Sequence, residues 1–228
     1  YSSAESEICE SCGESLTMRL PPERTIAGRY RLGMLIGQGG MGKVYQARDL
    51  RPGPDPAIKI LSDHLTLNRE ALLRFKREAR ALAAMAHPNI LTIYEFSAEQ
   101  ELSYIVTELL AGETLRARLK RSRLTPDEIL KIAVGIAEGL TTMHDKGITH
   151  RDIKPENIFL NNGGGIKILD FGVAHFVAPL HLDITNTTGV QTELGRVMGT
   201  VPYMSPEQFC GAKTDGRSDI FSFGSLLY

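Results

Sequence analysis

Two short polar blocks carry the clearest chemical signal in the chain: HRDIKPEN at residues 150–157 and DFG at residues 170–172. Asp170 and Asn157 offer hard oxygen atoms, which Mg²⁺ takes as ligands together with phosphate oxygens. ATP needs such a cation to offset its negative charge. A match of this length in one block argues against a polar loop with scattered aspartates. The two blocks therefore predict a site for Mg²⁺ and ATP.

The same blocks supply groups that phosphoryl transfer requires. Asp152 can accept the proton of an incoming hydroxyl and orient it, and Lys154 can neutralise the migrating phosphoryl group. Most of the catalysis would then come from positioning and electrostatics.

A glycine-rich segment, GQGGMGKV at residues 37–44, contains the pattern G-x-G-x-x-G-x-V. Glycines let the backbone approach phosphates and present N–H groups to them. A dinucleotide-binding turn would need a helix directly after the glycines, whereas KVYQA is strand-like. A P-loop would need Ser or Thr after its lysine, and Val44 has no hydroxyl. A hairpin that folds over a nucleotide, with Val44 on the base, fits both flanks, and a purely structural hairpin stays as the alternative.

Lys59 lies between apolar neighbours in AIKI, residues 57–60. The ordinary interpretation is a strand lysine that points to solvent. The functional interpretation needs a carboxylate partner, and Glu78 on the following predicted helix can supply one. We expect the Lys59–Glu78 ion pair to aim the ammonium at the α- and β-phosphates.

Short strands and one helix must position these groups in the first half of the chain. Stretches rich in Val, Ile, Tyr and Leu, bounded by Gly, Pro and polar residues, predict strands over 30–36, 43–48, 57–61, 90–96 and 104–109. An Asn68 N-cap followed by apolar residues at helical spacing predicts a long helix that ends before His87.

After Gly112 the pattern becomes helical. TPDE at residues 125–128 combines a Thr cap, a Pro at the first helical position and a Glu three residues after the cap, and an apolar stripe follows to Met143. We interpret residues 150–211 as loop-rich and expect another buried helix from Asp219. The prediction is an α+β fold with a β-rich small lobe and a mainly helical large lobe.

Composition limits the function classes. The chain has 228 residues and a formal charge of −1, which argues against nucleic acid or an anionic membrane as the main partner. Its apolar runs fall short of the roughly 18 residues that suggest a membrane span, so we expect no membrane contact in this segment. Three cysteines are too few for a disulfide framework. We expect a cytoplasmic location, or the cytoplasmic side of a membrane protein if a span lies beyond residue 228.

Together the motifs resemble the signature set of protein kinases in order and spacing. The set comprises residues 37–44, AIK at 57–59, Glu78, HRDIKPEN, DFG and SPE at 205–207. The resemblance covers residues 28–228, with a small lobe over 28–110 and a large lobe over 111–228 that is truncated at its C-terminus. Residues 1–27 would form a separate N-terminal segment. Lys154 and GTVPYM at 199–204 are similar to the Ser/Thr branch, and the glycine segment and MSPEQ are similar to the bacterial, eukaryotic-like members.

The resemblance implies transfer of the ATP γ-phosphate to Ser or Thr hydroxyls of protein substrates, with Mg²⁺ or Mn²⁺ as the cation. It implies that the catalytic residues are Asp152, Lys154, Asn157, Lys59 and Glu78. It assigns Asn157 and Asp170 to the cation. The implied nucleotide-binding residues are Gly37, Gln38, Gly39, Gly40, Gly42, Val44, Ala57, Lys59, Thr107, Glu108, Leu110, Glu113, Phe159 and Asp170.

Within the implied nucleotide site, Glu108 and Leu110 would hold adenine through backbone groups, with Thr107 as gatekeeper and Glu113 near the ribose. The base would lie between Val44, Ala57 and Phe159. For Thr107 and Leu110, the core of an interior strand predicts the same residue types.

The resemblance also assigns roles outside the nucleotide site. Thr200 would help to position the substrate hydroxyl. Asp219 would brace the backbone at His150 and Arg151.

Threonines between the DFG block and Glu207 indicate regulation. Our hypothesis is autophosphorylation at Thr188 or Thr192 after self-association of two chains, because a phosphothreonine would pair with Arg151 and order the segment. A Thr-rich flexible loop is the alternative.

Cys9 and Cys12 have the spacing of half a zinc ribbon. Zinc takes four ligands, and the sequence contains no second pair. The segment is therefore either half of a Zn²⁺ site, completed by a knuckle before Tyr1, or an unstructured tail.

One departure from the family pattern predicts a feature of the small-lobe sheet. Pro56 replaces the usual Val before AIK and removes a ladder N–H, so it should lie at a strand start or edge.

Two rival functions remain. A pseudokinase that binds ATP without transfer is the main rival, and the complete set of catalytic residue types argues against it. The GTVPYM segment disfavours a small-molecule kinase.

Overall fold

The computed structural model describes residues 24–39, 42–62, 83–98, 102–170 and 201–228. Its strands are β1 (Thr25–Ile26), β2 (Tyr30–Gly39), β3 (Gly42–Asp49), β4 (Pro56–Leu61), β5 (Ile93–Ala98), β6 (Ser103–Glu108), β7 (Gly112–Thr114), β8 (Ile158–Asn161) and β9 (Ile166–Ile168). Its helices are α1 (Leu115–Arg121), α2 (Pro126–Asp145), α3 (Pro206–Phe209) and α4 (Gly216–Leu227), with 3-10 turns at Pro155–Asn157 and Val201–Tyr203.

The small lobe is a six-stranded antiparallel sheet in the order β1-β2-β3-β4-β6-β5. Alternation along the strands buries one cluster that includes Tyr30, Tyr45, Ile58 and Tyr104. The Tyr30 and Tyr104 rings meet edge to face, with centroids 6.5 Å apart. Pro56 is the first residue of β4, as predicted, so the interior of this central strand keeps its ladder N–H groups.

The strand boundaries differ from the predictions by up to three residues, and two features of the sheet have a clear structural cause. β5 begins at Ile93 because Ile90 instead forms an isolated parallel bridge with Ile168 of the large lobe. The sheet begins at Thr25, inside the predicted N-terminal segment, because β1 pairs with β2 and Ile26 is buried in the small-lobe core.

The large lobe packs α2 against a three-stranded sheet in the order β7-β8-β9. The predicted capping box of α2 is confirmed: Thr125 Oγ1 accepts from Glu128 N at 3.3 Å, and Glu128 Oε2 accepts from Thr125 N at 2.7 Å. Ile132, Ile136 and Leu140 of the apolar stripe are buried in one cluster with Ile166 and Ile168 of β9, whereas Ile129 is 43% exposed. The predicted mixed fold, β-rich first and helical second, is therefore confirmed.

Four further features differ from the sequence predictions or lie outside the described residues. α1 was not predicted, because LRARLKR is short and mostly basic, and its cap Thr114 acts locally by accepting from Ala117 N at 3.2 Å. The predicted loop region contains β8, β9 and α3. α4 begins at Gly216 rather than Asp219, because Asp215 caps it through Arg217 N. Most of the predicted helix after Asn68 lies outside the described residues.

Two glycines of α2 allow the close approach of β9. A Cβ at Gly135 would lie 2.5 Å from Ile166 Cγ1, and a Cβ at Gly139 would lie 2.7 Å from Ile168 Cδ1. Neither glycine has a positive φ, so close packing rather than backbone conformation requires them. They set the position of the strand that leads into the DFG block.

Gly135→Ala is expected to lower the free energy of unfolding by roughly 1–3 kcal/mol, since Ile166 must move. Gly224→Ala in α4 is the matched control, because a Cβ there would meet no atom within 4 Å beyond its own helix backbone in the part of the chain that the structure describes. The control should raise stability by about 0.5–1 kcal/mol through helix propensity. Urea unfolding measures both changes, and a Gly135→Ala protein as stable as the Gly224→Ala protein would contradict the packing argument.

No helix within the part of the chain that the structure describes is both long enough and apolar enough to cross a membrane.

Candidate active site

The carboxylate of Asp152 is held by two residues of its own loop. Its Oδ2 accepts from Lys154 Nζ and from Asn157 Nδ2, each at 2.8 Å. Asn157 Nδ2 also donates to the backbone carbonyl of Asp152 at 2.8 Å, because the 3-10 turn Pro155–Asn157 brings it back toward that residue. Asp152 is only 5% exposed. The loop therefore fixes one carboxylate oxygen and the orientation of the group.

His150 ties this loop to the residue before Asp170. Nδ1 of its buried ring accepts a hydrogen bond from Asp152 N at 3.2 Å. Nε2 therefore carries the ring hydrogen and donates it to Leu169 O at 2.8 Å. Leu169 N in turn donates to Asn157 O at 2.8 Å. The two sequence blocks thus form one hydrogen-bonded unit.

Asp219 anchors the same loop from α4, as the resemblance implied. Its fully buried carboxylate accepts from the backbone N–H groups of His150 at 2.8 Å and Arg151 at 2.7 Å, and it contacts His144 Nε2 at 2.8 Å. Arg151 has a φ of +66° and Asp170 a φ of +43°, values in the left-handed region that side chains other than glycine rarely adopt. Backbone strain of this kind concentrates at functional sites.

Lys59 crosses between the lobes to Asp170. The Nζ–Oδ1 distance is 2.5 Å, and the lysine side chain is 9% exposed while the aspartate side chain is 40% exposed. The interpretation of Lys59 as a solvent-facing strand lysine is therefore wrong. Glu78, its predicted partner, lies outside the described residues.

The register of the small-lobe sheet places four predicted site residues on one face. Val44 is directly opposite Lys59, Ala57 is directly opposite Thr107, and Ala57 and Lys59 are two residues apart on β4. Thr107 Oγ1 donates to Glu108 O at 3.2 Å. The sheet thus presents an apolar wall with one ammonium group. Phe159 and Leu110, both half-buried, belong to the large lobe and to the segment that connects the lobes.

The glycine segment forms the predicted hairpin of β2 and β3, which pairs Gly37 with Val44 and Gly39 with Gly42. The fold itself demands Gly42, because its φ is +138° and a Cβ would lie 1.9 Å from Ile60 O. Among the described residues, a Cβ at Gly39 would meet no atom within 4 Å, so this part of the sheet does not require that glycine. Because Gly39 has no side chain, another molecule can approach its backbone closely. Gln38 is exposed on this hairpin, and Gly40 lies outside the described residues.

The Glu108 side chain joins the lobes, a role that the sequence did not reveal. Its Oε1 accepts from Lys167 Nζ at 2.6 Å and from Thr92 N at 2.7 Å, and Lys167 Nζ also donates to Ile90 O at 3.0 Å. Burial raises the pKa of Glu108, but the hydrogen bonds from Lys167 and Thr92 outweigh burial and hold this pKa below its usual range. The carboxylate of Glu113, predicted to reach the ribose, pairs with Arg121 Nη2 at 2.6 Å.

Glu108→Gln is expected to destabilise the protein by roughly 1–3 kcal/mol at neutral pH, because it removes a charge-assisted hydrogen bond from Lys167. Since the folded-state pKa of Glu108 is depressed, its contribution is present above the unfolded pKa and is lost as the pH falls through the folded pKa. The stability difference between wild type and variant should therefore shrink below about pH 4. Urea unfolding at several pH values measures it, and a difference that is constant with pH would contradict this assignment.

SPEQ at residues 205–208 supports the catalytic loop. Ser205 caps α3 in a capping box with Gln208, and Gln208 Nε2 donates to Arg151 O at 2.7 Å. The pattern of Ser with Gln three residues later is a helix-start signal that could have identified α3. Glu207 accepts a hydrogen bond from the Ser218 hydroxyl.

The oxygen ligands predicted for the cation fit that role. Both amide hydrogen bonds to Asp152 come from Asn157 Nδ2, which leaves Oδ1 as the atom that a cation would use. Asp170 adds a half-exposed carboxylate, and hard oxygen donors of this type suit Mg²⁺. Among the described residues there is no cluster of three or more His, Cys, Asp and Glu side chains that could hold a metal without further ligands.

Several predicted residues lie outside the described part of the chain, and their roles stay predictions. They are Glu78, Gly40, Cys9, Cys12, Thr188, Thr192 and Thr200.

Comparisons with known proteins agree with this geometry. The family model described as "Protein kinase domain" matches residues 30–228. A probable serine/threonine-protein kinase of Streptomyces coelicolor, SCO3848, is 40% identical over 210 residues, which are 90% of this chain and 30% of that protein. Serine/threonine-protein kinase pkn2 of Myxococcus xanthus is 40% identical over 214 residues, 92% of this chain and 25% of that protein.

PknB of Mycobacterium leprae, named a serine/threonine-protein kinase, is 38% identical over 217 residues, 92% of this chain and 33% of that protein. The chain thus spans between a quarter and a third of the length of these curated relatives. Among solved structures, the PknI kinase domain of Mycobacterium tuberculosis superposes with a TM-score of 0.72 at 26% identity, covering 91% of this chain and 74% of that one.

Proposed function

Because this chain belongs to the protein kinase domain family, we propose that it transfers the γ-phosphate of ATP to serine and threonine hydroxyls of protein substrates. The observation that carries the proposal is the buried Asp152 carboxylate, held by Lys154 and Asn157. A scaffold that only binds ATP has no need for a carboxylate restrained in this way.

Each restrained group has a step to perform. Asp152 accepts the proton of the substrate hydroxyl as that oxygen attacks the γ-phosphorus and the bond to the β-phosphate oxygen breaks. Lys154, already beside this carboxylate, lies where it can offset charge on the transferred group. Lys59 presents its ammonium from the apolar wall to the α- and β-phosphates, for which it exchanges part of its contact with Asp170.

A divalent cation held by Asp170 and Asn157 would offset the charge of the phosphates, and we propose Mg²⁺ because both ligands are hard oxygens. His150 and Asp219 do not touch substrate. They keep the Asp152 loop and Asp170 at a constant separation, and such positioning accounts for much of the rate in phosphoryl transfer.

The test is a transfer assay on the full-length protein with γ-labelled ATP, Mg²⁺ and a mixture of Ser, Thr and Tyr peptides. We expect label on Ser and Thr, and loss of transfer after chelation of the cation. ATP binding without transfer to any peptide or protein would favour the pseudokinase, and label on a small-molecule alcohol alone would favour the other rival.

Autophosphorylation of Thr188 or Thr192 by a second copy of the chain is part of the proposal. Arg151 supports it, because it stands next to Asp152 and can pair with a phosphothreonine. We expect phosphate on one of these threonines after incubation with ATP, measured by peptide mass spectrometry. A fully active sample that carries no phosphate between residues 171 and 200 would contradict this part alone.

A further inference from the structure

An exposed cluster beside the catalytic loop joins three segments of the large lobe. Arg116 of α1 donates through Nε to Glu156 Oε1 at 2.7 Å and through Nη2 to the Tyr203 hydroxyl at 3.1 Å. Glu156 belongs to the 3-10 turn after Lys154, and Tyr203 ends the turn Val201–Tyr203. The Arg116 and Glu156 side chains are 36% and 45% exposed. We call these three residues the Arg116 cluster.

The cluster lies within reach of a peptide bound at Asp152. Glu156 is the fourth residue after Asp152, which limits their Cα separation to about 14 Å. An extended peptide advances about 3.3 Å per residue. A peptide whose hydroxyl contacts Asp152 can therefore bring a residue within about four positions of that hydroxyl to the level of Glu156.

Charge at this place decides which peptides are attracted. Glu156 alone would present an exposed carboxylate to the substrate and would favour Lys or Arg there. In the structure the Arg116 guanidinium pairs with this carboxylate, and the hydrogen bonds that Arg116 donates to Glu156 and Tyr203 raise its pKa further, so it stays charged. The other nearby ion pair, Lys154 with Asp152, also has a net charge of zero. These two pairs thus add no net charge beside the catalytic carboxylate.

A substrate arginine cannot easily displace Arg116. An exposed ion pair is weak by itself. However, Arg116 is attached to α1 and also held by Tyr203, so its effective concentration at Glu156 is in the millimolar range or above. A peptide at micromolar concentration competes poorly with it.

We propose that Arg116 is a specificity-determining residue, which neutralises Glu156 and so directs the enzyme to substrates with uncharged rather than basic residues within about four positions of the phosphorylated hydroxyl. Tyr203 positions the guanidinium for this role. The inference rests on the proposed kinase function and specifies its substrate class.

The experiment compares full-length wild type, Arg116→Gln and the double variant Arg116→Gln/Glu156→Gln. Each is assayed with pairs of Ser peptides that differ only by Arg or Gln at one position within four residues of the acceptor. We expect Arg116→Gln to raise the ratio of kcat/KM for the Arg peptide over the Gln peptide by roughly three- to fivefold, the size that an exposed ion pair gives. The double variant should return to the wild-type ratio, because the unmasked carboxylate is gone.

Arg118→Gln is the matched control. Arg118 lies on the same helix and pairs with Glu128 at 2.9 Å, away from the catalytic loop, so its loss should leave the ratio unchanged. An unchanged ratio in a folded Arg116→Gln protein, or an equal rise in Arg118→Gln, would overturn the inference. Fluorescence anisotropy of the same labelled peptides gives the ratio of Kd values even without transfer. A protein that transfers no phosphate therefore rejects the proposed function, whereas equal Kd ratios in wild type and Arg116→Gln reject the role of Arg116.

Discussion

Asp152→Asn is expected to lower γ-phosphate transfer by a factor of about 10²–10⁴ while ATP binds as tightly as before. The amide has the shape of the carboxylate, and its oxygen can still accept from Asn157 Nδ2, so the loop should keep its structure. It cannot accept the proton of the substrate hydroxyl at neutral pH, and Lys154 loses its ionic partner. The measurements are kcat for a Ser peptide and the Kd of ATP on full-length protein.

Asp49→Asn provides the control for this prediction. Asp49 pairs with Arg29 at 2.7 Å in the small lobe, so the substitution also breaks an ion pair but leaves the catalytic loop untouched. We expect its kcat to stay within about twofold of wild type, because Asp49 contacts Arg29 and Arg51 of the small lobe and lies far from the catalytic loop in the fold. Equal transfer by wild type and Asp152→Asn would contradict the role assigned to Asp152, whatever the control shows.

Local sequence patterns were enough to predict the elements that depend on neighbouring residues. The capping box at Thr125 requires only residues three apart, and it begins α2 where the sequence indicated. Likewise, the strand pattern around Lys59 predicts β4, and Pro56 marks its first residue. Motif spacing added the site residues, because it reports which side chains a loop must bring together.

Contacts between distant segments could not be predicted in the same way. The partner of Lys59 in the structure, Asp170, is 111 residues away, and no periodic pattern connects the two. β9 has three residues, too few for alternation to be recognised, and it exists because it pairs with β8 and packs against α2. Glu108 was assigned a role through its backbone only, since the approach of Lys167 depends on how the lobes meet.

Asp219 shows how a residue far along the chain can control the catalytic loop. Asp219→Asn is expected to lower the free energy of unfolding by about 3–5 kcal/mol, as when one partner of a buried charged network is removed. The carboxylate accepts three hydrogen bonds, from His150 N, Arg151 N and His144 Nε2. An asparagine has one oxygen, so its amide hydrogens must face at least one backbone N–H. That N–H is left without a partner in a fully buried place.

The same substitution should also reduce transfer by more than tenfold, even at temperatures where the protein stays folded. Arg151 holds a left-handed φ of +66° beside Asp152, and Asp219 is the group that restrains its N–H. Without that restraint the backbone can relax, and Asp152 moves relative to Asp170. Asp215→Asn is the control. Asp215 is the exposed N-cap of the same helix, and asparagine can also cap it, so kcat should change little. If Asp219→Asn unfolded at the wild-type urea concentration and kept the wild-type kcat, the catalytic loop would have to be held by His150 and Gln208 alone.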